Sequence, residues 1–267
     1  MCHRRRLREG EGERRSGSQE TGCGDGEASH GDGMAPALVG VGVGPGDPEH
    51  VTLEALRALR EADRVFAPSL ALDVVGRAES IVREAAPEVQ VERLVIAMRR
   101  DGGREVYGDA ARRIAAALDS DERVAFATLG DPNIYSTFSA LARAVRALCP
   151  DAPIETVAGI MAFQALAARA SFVVLEGTET LSLITALDGP QALDSVLADR
   201  AHAVAVYKGG RHLPAIAKRL AAAGRLDGAV AGELLGLPGE RAGPLDELAD
   251  APASYLATVL VPPAGRP

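Results

Sequence analysis

From Ala37 onward the chain alternates short runs of β-branched and other apolar residues with longer Ala/Leu/Arg-rich stretches whose apolar positions recur at helical spacing. The short runs predict strands over Leu38–Val43, Arg64–Ala67, Val89–Ile96, Arg123–Thr128 and Ile154–Val157. The helical period predicts helices over Leu53–Glu61, Arg77–Ala86, Arg104–Leu118 and Ser136–Leu148, the first with Thr52 as its N-cap. Strand and helix in turn imply a largely parallel sheet covered on both faces.

The second half is less regular. A helix over Ala162–Arg169 leads into "SFVVLEGTETLSLITAL", which reads as two β-like stretches broken at Glu176 and Gly177. A helix near Gln191–Ala198, a strand over Ala203–Tyr207, a helix over Leu213–Ala223 and strands over Ala229–Leu234 and Tyr255–Val261 follow. The expected architecture is two α/β domains, 35–157 and 158–267, with a ligand cleft between them. Residues 1–34 stand apart: they mix both charges with Gly and Ser, hold almost nothing apolar, and are expected to be a disordered extension. Met34 opens a stretch that reads like a natural protein start.

Composition narrows the function. With 47% hydrophobic and 25% charged residues this is an ordinary globular chain, and no apolar run reaches the roughly 18–20 residues that cross a bilayer. A cytoplasmic protein is expected. A formal net charge of −8 argues against a nucleic-acid partner, and an anionic ligand needs a local basic pocket. The three cysteines lack metal-ligand spacing, His50 and His202 read as surface or structural, and no metal site is expected.

The chemistry concentrates in "LVGVGVGPGDP", a strand with glycine at alternate positions, ended by a Pro-Gly-Asp-Pro turn. Counted from Gly40 or Gly42, the sixth position is Pro45 or Asp47, so the dinucleotide fingerprint fails. There is no Walker Lys-Ser or Lys-Thr, and Asp47 would repel a phosphate. What remains is a backbone-lined notch at a strand's carboxyl end, suited to a ligand without phosphates, or else only a tight turn into the next helix. A second Gly-Asp-Pro turn, Gly130 to Pro132, ends the strand before "NIYSTFSALARAV". The two turns are expected side by side at the carboxyl edge of the sheet.

Through "VGVGPGDP" (41–48), "LGDPNIYST" (129–137) and "VAGIMAFQALAA" (157–168), the chain resembles the tetrapyrrole (corrin/porphyrin) methyltransferases over roughly residues 36–262. Within that family, "GDPNIYSTF", "YKGGRHLPAI" and "GELLGLPGE" look most like the branch that methylates carbon 20 of precorrin-2 in cobalamin synthesis. The resemblance implies S-adenosyl-L-methionine as cofactor, which carries no phosphate, and a homodimer. It places Gly44 and Pro45 in the cofactor cleft with Gly130, Asp131, Ile134 and Tyr135 from the second loop, Met161 and Ala162 after the junction, and Tyr207 and Lys208 closing the far side. The family commonly has Pro where this chain has Ala158, which loosens the backbone ahead of Met161.

The small-molecule substrate so implied is a polycarboxylate, and Arg99, Arg100, Arg104, Arg211 and His212, with Lys208, are candidates to meet its acid arms, or are solvated surface charges. Asp131 either holds the cofactor or macrocycle or caps the following helix. No catalytic base is singled out. Rival readings are a sibling methylase acting on another ring carbon or on uroporphyrinogen, a relative of diphthine synthase, and a non-catalytic binding module.

Overall fold

A five-stranded sheet lies at the centre of the first half of this computed structural model, which describes residues 35–96, 104–198 and 201–265. Its strands are β1 (Leu38–Gly42), β2 (Arg64–Ser69), β3 (Val91–Val95), β4 (Val124–Thr128) and β5 (Ile154–Val157), in the order β3-β2-β4-β1-β5. Every pairing is parallel, with Leu38 opposite both Val124 and Ile154.

The alternation of side chains along each strand builds two cores. Val39, Val41, Val65 and Ala127 meet α1 (Leu53–Glu61) and α2 (Arg77–Ala85) on one face through Leu59, Ile81 and Val82. Leu38, Phe66 and Phe126 meet α3 (Gly108–Leu118) and α4 (Thr137–Leu148) on the other through Ile114, Phe138 and Leu141. Burial on both faces is why β1 and β4 read as continuous apolar runs. Thr52 caps α1, its hydroxyl accepting from Ala55 N–H at 3.1 Å.

The second sheet is mixed. β5 ends at Val157, and α5 (Ala162–Arg169) packs against strands of the second sheet, which runs β6 (Thr180–Thr185), β7 (His202–Tyr207), β10 (Thr258–Val261), β8 (Val230–Glu233), β9 (Arg241–Pro244). Only β6 and β7 pair in parallel; the other three pairings are antiparallel. A short helix α6 (Asp194–Leu197), then α7 (Leu213–Ala222) and α8 (Leu245–Leu248), complete this half. Leu193, Leu213, Ile216 and Leu220 fill one face; Leu166, Leu235 and Leu260 fill the other.

Several sequence expectations change here; the helix expected over Arg104–Leu118, for one, starts at Gly108 after a 3₁₀ turn over Arg104–Tyr107. "SFVVLE" forms no strand: Phe172 and Val174 pack beside α5 while Val173 and Leu175 face out. The last strand starts at Thr258, because Tyr255 and Leu256 form a turn. The helix near Gln191 is a 3₁₀ turn, Pro190–Leu193, followed by the single α-helical turn of α6.

Candidate functional site

The glycines of β1 have separate physical reasons. A Cβ on Gly40 would lie 2.4 Å from the Phe138 ring, so this glycine admits the aromatic that seats α4. A Cβ on Gly42 would lie 2.5 Å from the Gly130 carbonyl oxygen, and one on Gly159 would lie 2.1 Å from that same oxygen. At this junction Gly42 and Gly159 therefore pack on the Gly130 carbonyl so closely that neither position has room for a side chain. Past the strand, Gly44 turns with φ +78, and its carbonyl accepts from Gly130 N–H at 3.0 Å. The two Gly-Asp-Pro turns thus lie side by side at the carboxyl ends of adjacent strands, where ligands gather in open α/β sheets.

Both Asp131 oxygens are engaged within this junction. Oδ1 accepts from Asn133 N–H at 2.8 Å, and Oδ2 reaches across to Gly159 N–H at 3.1 Å. The helix after it is capped instead by Ser136, whose hydroxyl accepts from Phe138 N–H at 3.0 Å and lies 2.9 Å from Thr128 Oγ1. Asp131 is thus the brace between the second loop and the connection leaving β5, and not a helix cap.

A cleft opens above these turns. Pro45, Gly130, Asp131, Ile134 and Tyr135 line it from the first half, with Met161, Ala162, Tyr207 and Lys208 from the connection and β7. Nine of the ten residues placed there by resemblance therefore share one cavity, and Gly44 supports it through its bond to Gly130. Nothing lies within 4 Å of a Cβ built on Gly130, so that backbone faces open space. Tyr207 is buried, its ring centroid 6.0 Å from that of Tyr135, and its hydroxyl accepts from Phe163 N–H at 3.3 Å. Burial pushes the Tyr207 phenol up, against the Phe163 bond, so it stays neutral at physiological pH. Burial pushes the Lys208 ammonium down.

Sequence reading passes over the far wall: Leu234, Leu235 and Leu237, Tyr255 and Leu256, and Arg77 at the start of α2. Leu234 adopts φ +52, and the tight turn after it brings Gly236 so near Asp47 that an added Cβ would sit 2.2 Å from the Asp47 nitrogen. Gly46 is pressed as closely on the Leu235 carbonyl, at 2.0 Å for a built Cβ. The signal was present in the glycines of "GELLGLPGE". Arg169 adds a further tie from α5, with ion pairs of 3.2 Å to Glu240 and 3.8 Å to Asp47.

Of the proposed basic residues, Lys208 lines the cleft. Arg99 and Arg100 lie outside the described residues, as does the side chain of Arg104. Arg211 and His212 occupy a 3₁₀ turn, Gly210–His212, after β7 and do not line the cleft. Among the described residues there is no group of three or more potential metal ligands, and no helix is long and apolar enough to cross a membrane.

The notch at the joined ends of β1 and β4 coincides with a match of residues 37–249 to the family model for tetrapyrrole (corrin/porphyrin) methylases. The chain belongs to that family. Among tetrapyrrole methylases it is 34% identical over 236 residues to a precorrin-2 C(20)-methyltransferase of a Sinorhizobium species, covering 84% of this chain and 94% of that one. It is 30% identical over 229 residues to a cobalt-precorrin-2 C(20)-methyltransferase of Salmonella typhimurium, covering 84% and 95%. A crystal structure of a cobalamin-synthesis-related protein from Corynebacterium diphtheriae shares the fold at 21% identity, with a TM-score of 0.64 over 86% of this chain and 99% of that one.

Proposed function

We propose that the cleft binds S-adenosyl-L-methionine and that the chain transfers its methyl group to carbon 20 of precorrin-2, or of the cobalt form, in cobalamin synthesis. The observation that carries the reading is the Gly44–Gly130 junction: two strand ends joined by a backbone hydrogen bond and opening into a mostly apolar cleft, in a sequence without a dinucleotide or Walker phosphate motif. Near-full-length similarity to two enzymes named for this carbon supports the substrate choice.

The residues fit such a cofactor. The bare backbone of Gly130, beside Pro45 and Ile134, admits a flat group at close range, and Met161, Ala162 and Tyr207 offer apolar and aromatic surface. Gly44 and Asp131 hold the loops that form the floor, and Tyr135 and Lys208 bridge the cleft from opposite halves. Bound there, the cofactor would supply an electrophilic methyl carbon and leave as S-adenosylhomocysteine, while the electron-rich macrocycle would supply the carbon that receives it and give up its proton there to a base. The protein's share is alignment and exclusion of water, which need no nucleophilic side chain. The neutral Tyr207 phenol and the close-packed glycine junction serve that end by forming a floor that carries no charge. We place the protein in the cytoplasm and read its working form as a homodimer, which light scattering checks.

The test is anaerobic incubation with S-adenosyl-L-methionine and precorrin-2 or cobalt-precorrin-2, followed by mass spectrometry. A gain of one methyl group is expected on one of the two substrates. Cofactor binding with no gain on either points to a sibling specificity or a non-catalytic module; absence of cofactor binding ends the methyltransferase reading.

A further inference from the structure

A second hollow adjoins the cleft. Leu70, Val74 and Val75, on the segment between β2 and α2, form one wall, and Leu129, Tyr255 and Leu256 face them. Leu129, Tyr255, Leu256 and Arg77 line both spaces, so hollow and cleft are continuous. The hollow is almost wholly apolar, yet Leu70 is 65% exposed and Val75 47%, so folding leaves its wall open to solvent. A concentrated apolar surface of this kind beside a ligand cleft marks a binding site.

The wall is built, not loose. The Ser69 hydroxyl lies 2.5 Å from the Val74 carbonyl oxygen and 2.8 Å from that of Ala71, which folds the 70–75 segment back on itself. Gly76 is pressed on β2, where an added Cβ would sit 2.2 Å from the Pro68 carbonyl oxygen. Fully buried Glu79 fixes α2 behind it, accepting from Arg93 at 2.6 and 2.9 Å and pairing with Arg83 at 2.5 Å.

Two cations line the joined spaces among the described residues, Arg77 and Lys208. Lys208 is committed to the Tyr135 carbonyl. The Arg77 side chain makes no hydrogen bond or ion pair among the described residues, although Arg83 and Arg93 close by are both held by Glu79. A guanidinium with no partner among the described residues, lining an apolar trough, is complementary to a flat apolar ring edged with carboxylate arms. In a chain of net charge −8, long-range attraction does not deliver such a ligand, so a local cation has to select it.

We propose that the hollow between β2 and α2 receives one edge of the tetrapyrrole macrocycle and that Arg77 pairs with one of its carboxylate arms. The assignment rests on the functional reading above. Continuity with the cleft favours a small substrate over a protein partner, because the occupant must extend from the hollow to the methyl donor.

The experiment compares wild type with Arg77→Met, Arg77→Lys and Leu70→Asp. Titration with S-adenosylhomocysteine reads the cofactor site, fluorescence titration with the octacarboxylate uroporphyrin III reads the hollow, and steady-state kinetics give KM for precorrin-2. Arg77→Met is expected to weaken uroporphyrin binding and raise the KM for precorrin-2 by roughly tenfold to hundredfold, the worth of one charge-assisted hydrogen bond. Cofactor affinity should stay at the wild-type value, Arg77→Lys should restore part of the loss, and Leu70→Asp should weaken uroporphyrin binding. A wild type active on precorrin-2 whose KM is untouched by Arg77→Met overturns this assignment alone, as does a variant that loses cofactor affinity instead. A wild type that takes up cofactor but no tetrapyrrole overturns the functional reading and this assignment with it.

Discussion

Lys208 Nζ donates to the backbone carbonyl of Tyr135 at 2.9 Å, and both residues hold left-handed backbone, with φ +58 and φ +49. Leu234, across the same cleft, is a third at φ +52. Left-handed geometry costs a non-glycine residue about 1–2 kcal/mol, so three such residues lining one cavity mark a surface shaped for a ligand at the expense of local stability. Tyr135 also donates its hydroxyl to the Leu183 carbonyl at 2.7 Å, which ties the loop after β4 to the edge strand β6.

Lys208→Met keeps the aliphatic stem and removes the bond to Tyr135. Denaturant unfolding should report a loss of about 1 kcal/mol, and cofactor titration should report weaker binding as the Tyr135 loop loosens. Unchanged cofactor affinity would mean that this bond does not shape the cleft.

Alanine at two glycines of the junction should fail for different reasons. Gly159→Ala drives a Cβ against the Gly130 carbonyl, an overpacking expected to cost about 1–3 kcal/mol and to displace the second loop, so cofactor binding is lost. Gly130→Ala meets no atom but strains a residue at φ +66, costing about 1–2 kcal/mol and placing a methyl in the cleft. Thermal unfolding together with cofactor titration separates the two, since only the first variant should alter packing beyond the site.

Glu79 links acid stability to the α2 wall. Burial alone would raise its carboxyl, but hydrogen bonds from Arg93 and the charges of Arg83 and Arg93 outweigh that and hold it below the usual carboxylate range. A lowered folded value means stability that is present above the unfolded pKa of about 4.3 and is lost as pH falls through the folded value. Glu79→Gln should cost about 3 kcal/mol at neutral pH, and the gap from wild type should narrow steadily below pH ~4. Urea midpoints across that range check it; a gap constant with pH would remove Glu79 from the account.

At alkaline pH the tyrosine under the cleft should show. The unfolded Tyr207 phenol ionises near pH ~10 while the buried one keeps its proton, so the unfolded state binds fewer protons and stability falls as pH rises. Lys208, lowered by burial, pulls the other way in wild type and variant alike. Tyr207→Phe should therefore lose less stability than wild type between pH 9 and 11, as roughly set by that unfolded value, and equal slopes would contradict the neutral buried phenol.

The first sheet was legible because parallel strands buried on both faces write themselves as apolar runs between turn signals, as in Leu38–Gly42 and Val124–Thr128. The edge strand Arg241–Pro244 was not, since three of its four residues are exposed and it carries no apolar alternation. Gly-Asp-Pro turns marked the cleft from the sequence, yet the role of Asp131 did not follow, because its partner Gly159 is distant in the chain. Arg77 looks like any arginine opening an amphipathic helix. Only the fold reveals that it lines the same two spaces as Leu129, Tyr255 and Leu256, with no carboxylate paired to its side chain among the described residues.

The most direct measurement of the central claim uses S-adenosyl-L-methionine labelled with 13C at the methyl group and locates the label in the anaerobic product by NMR. The account predicts one new labelled methyl on carbon 20 of precorrin-2 or its cobalt form. A label on any other ring carbon, or none with cofactor bound, contradicts it.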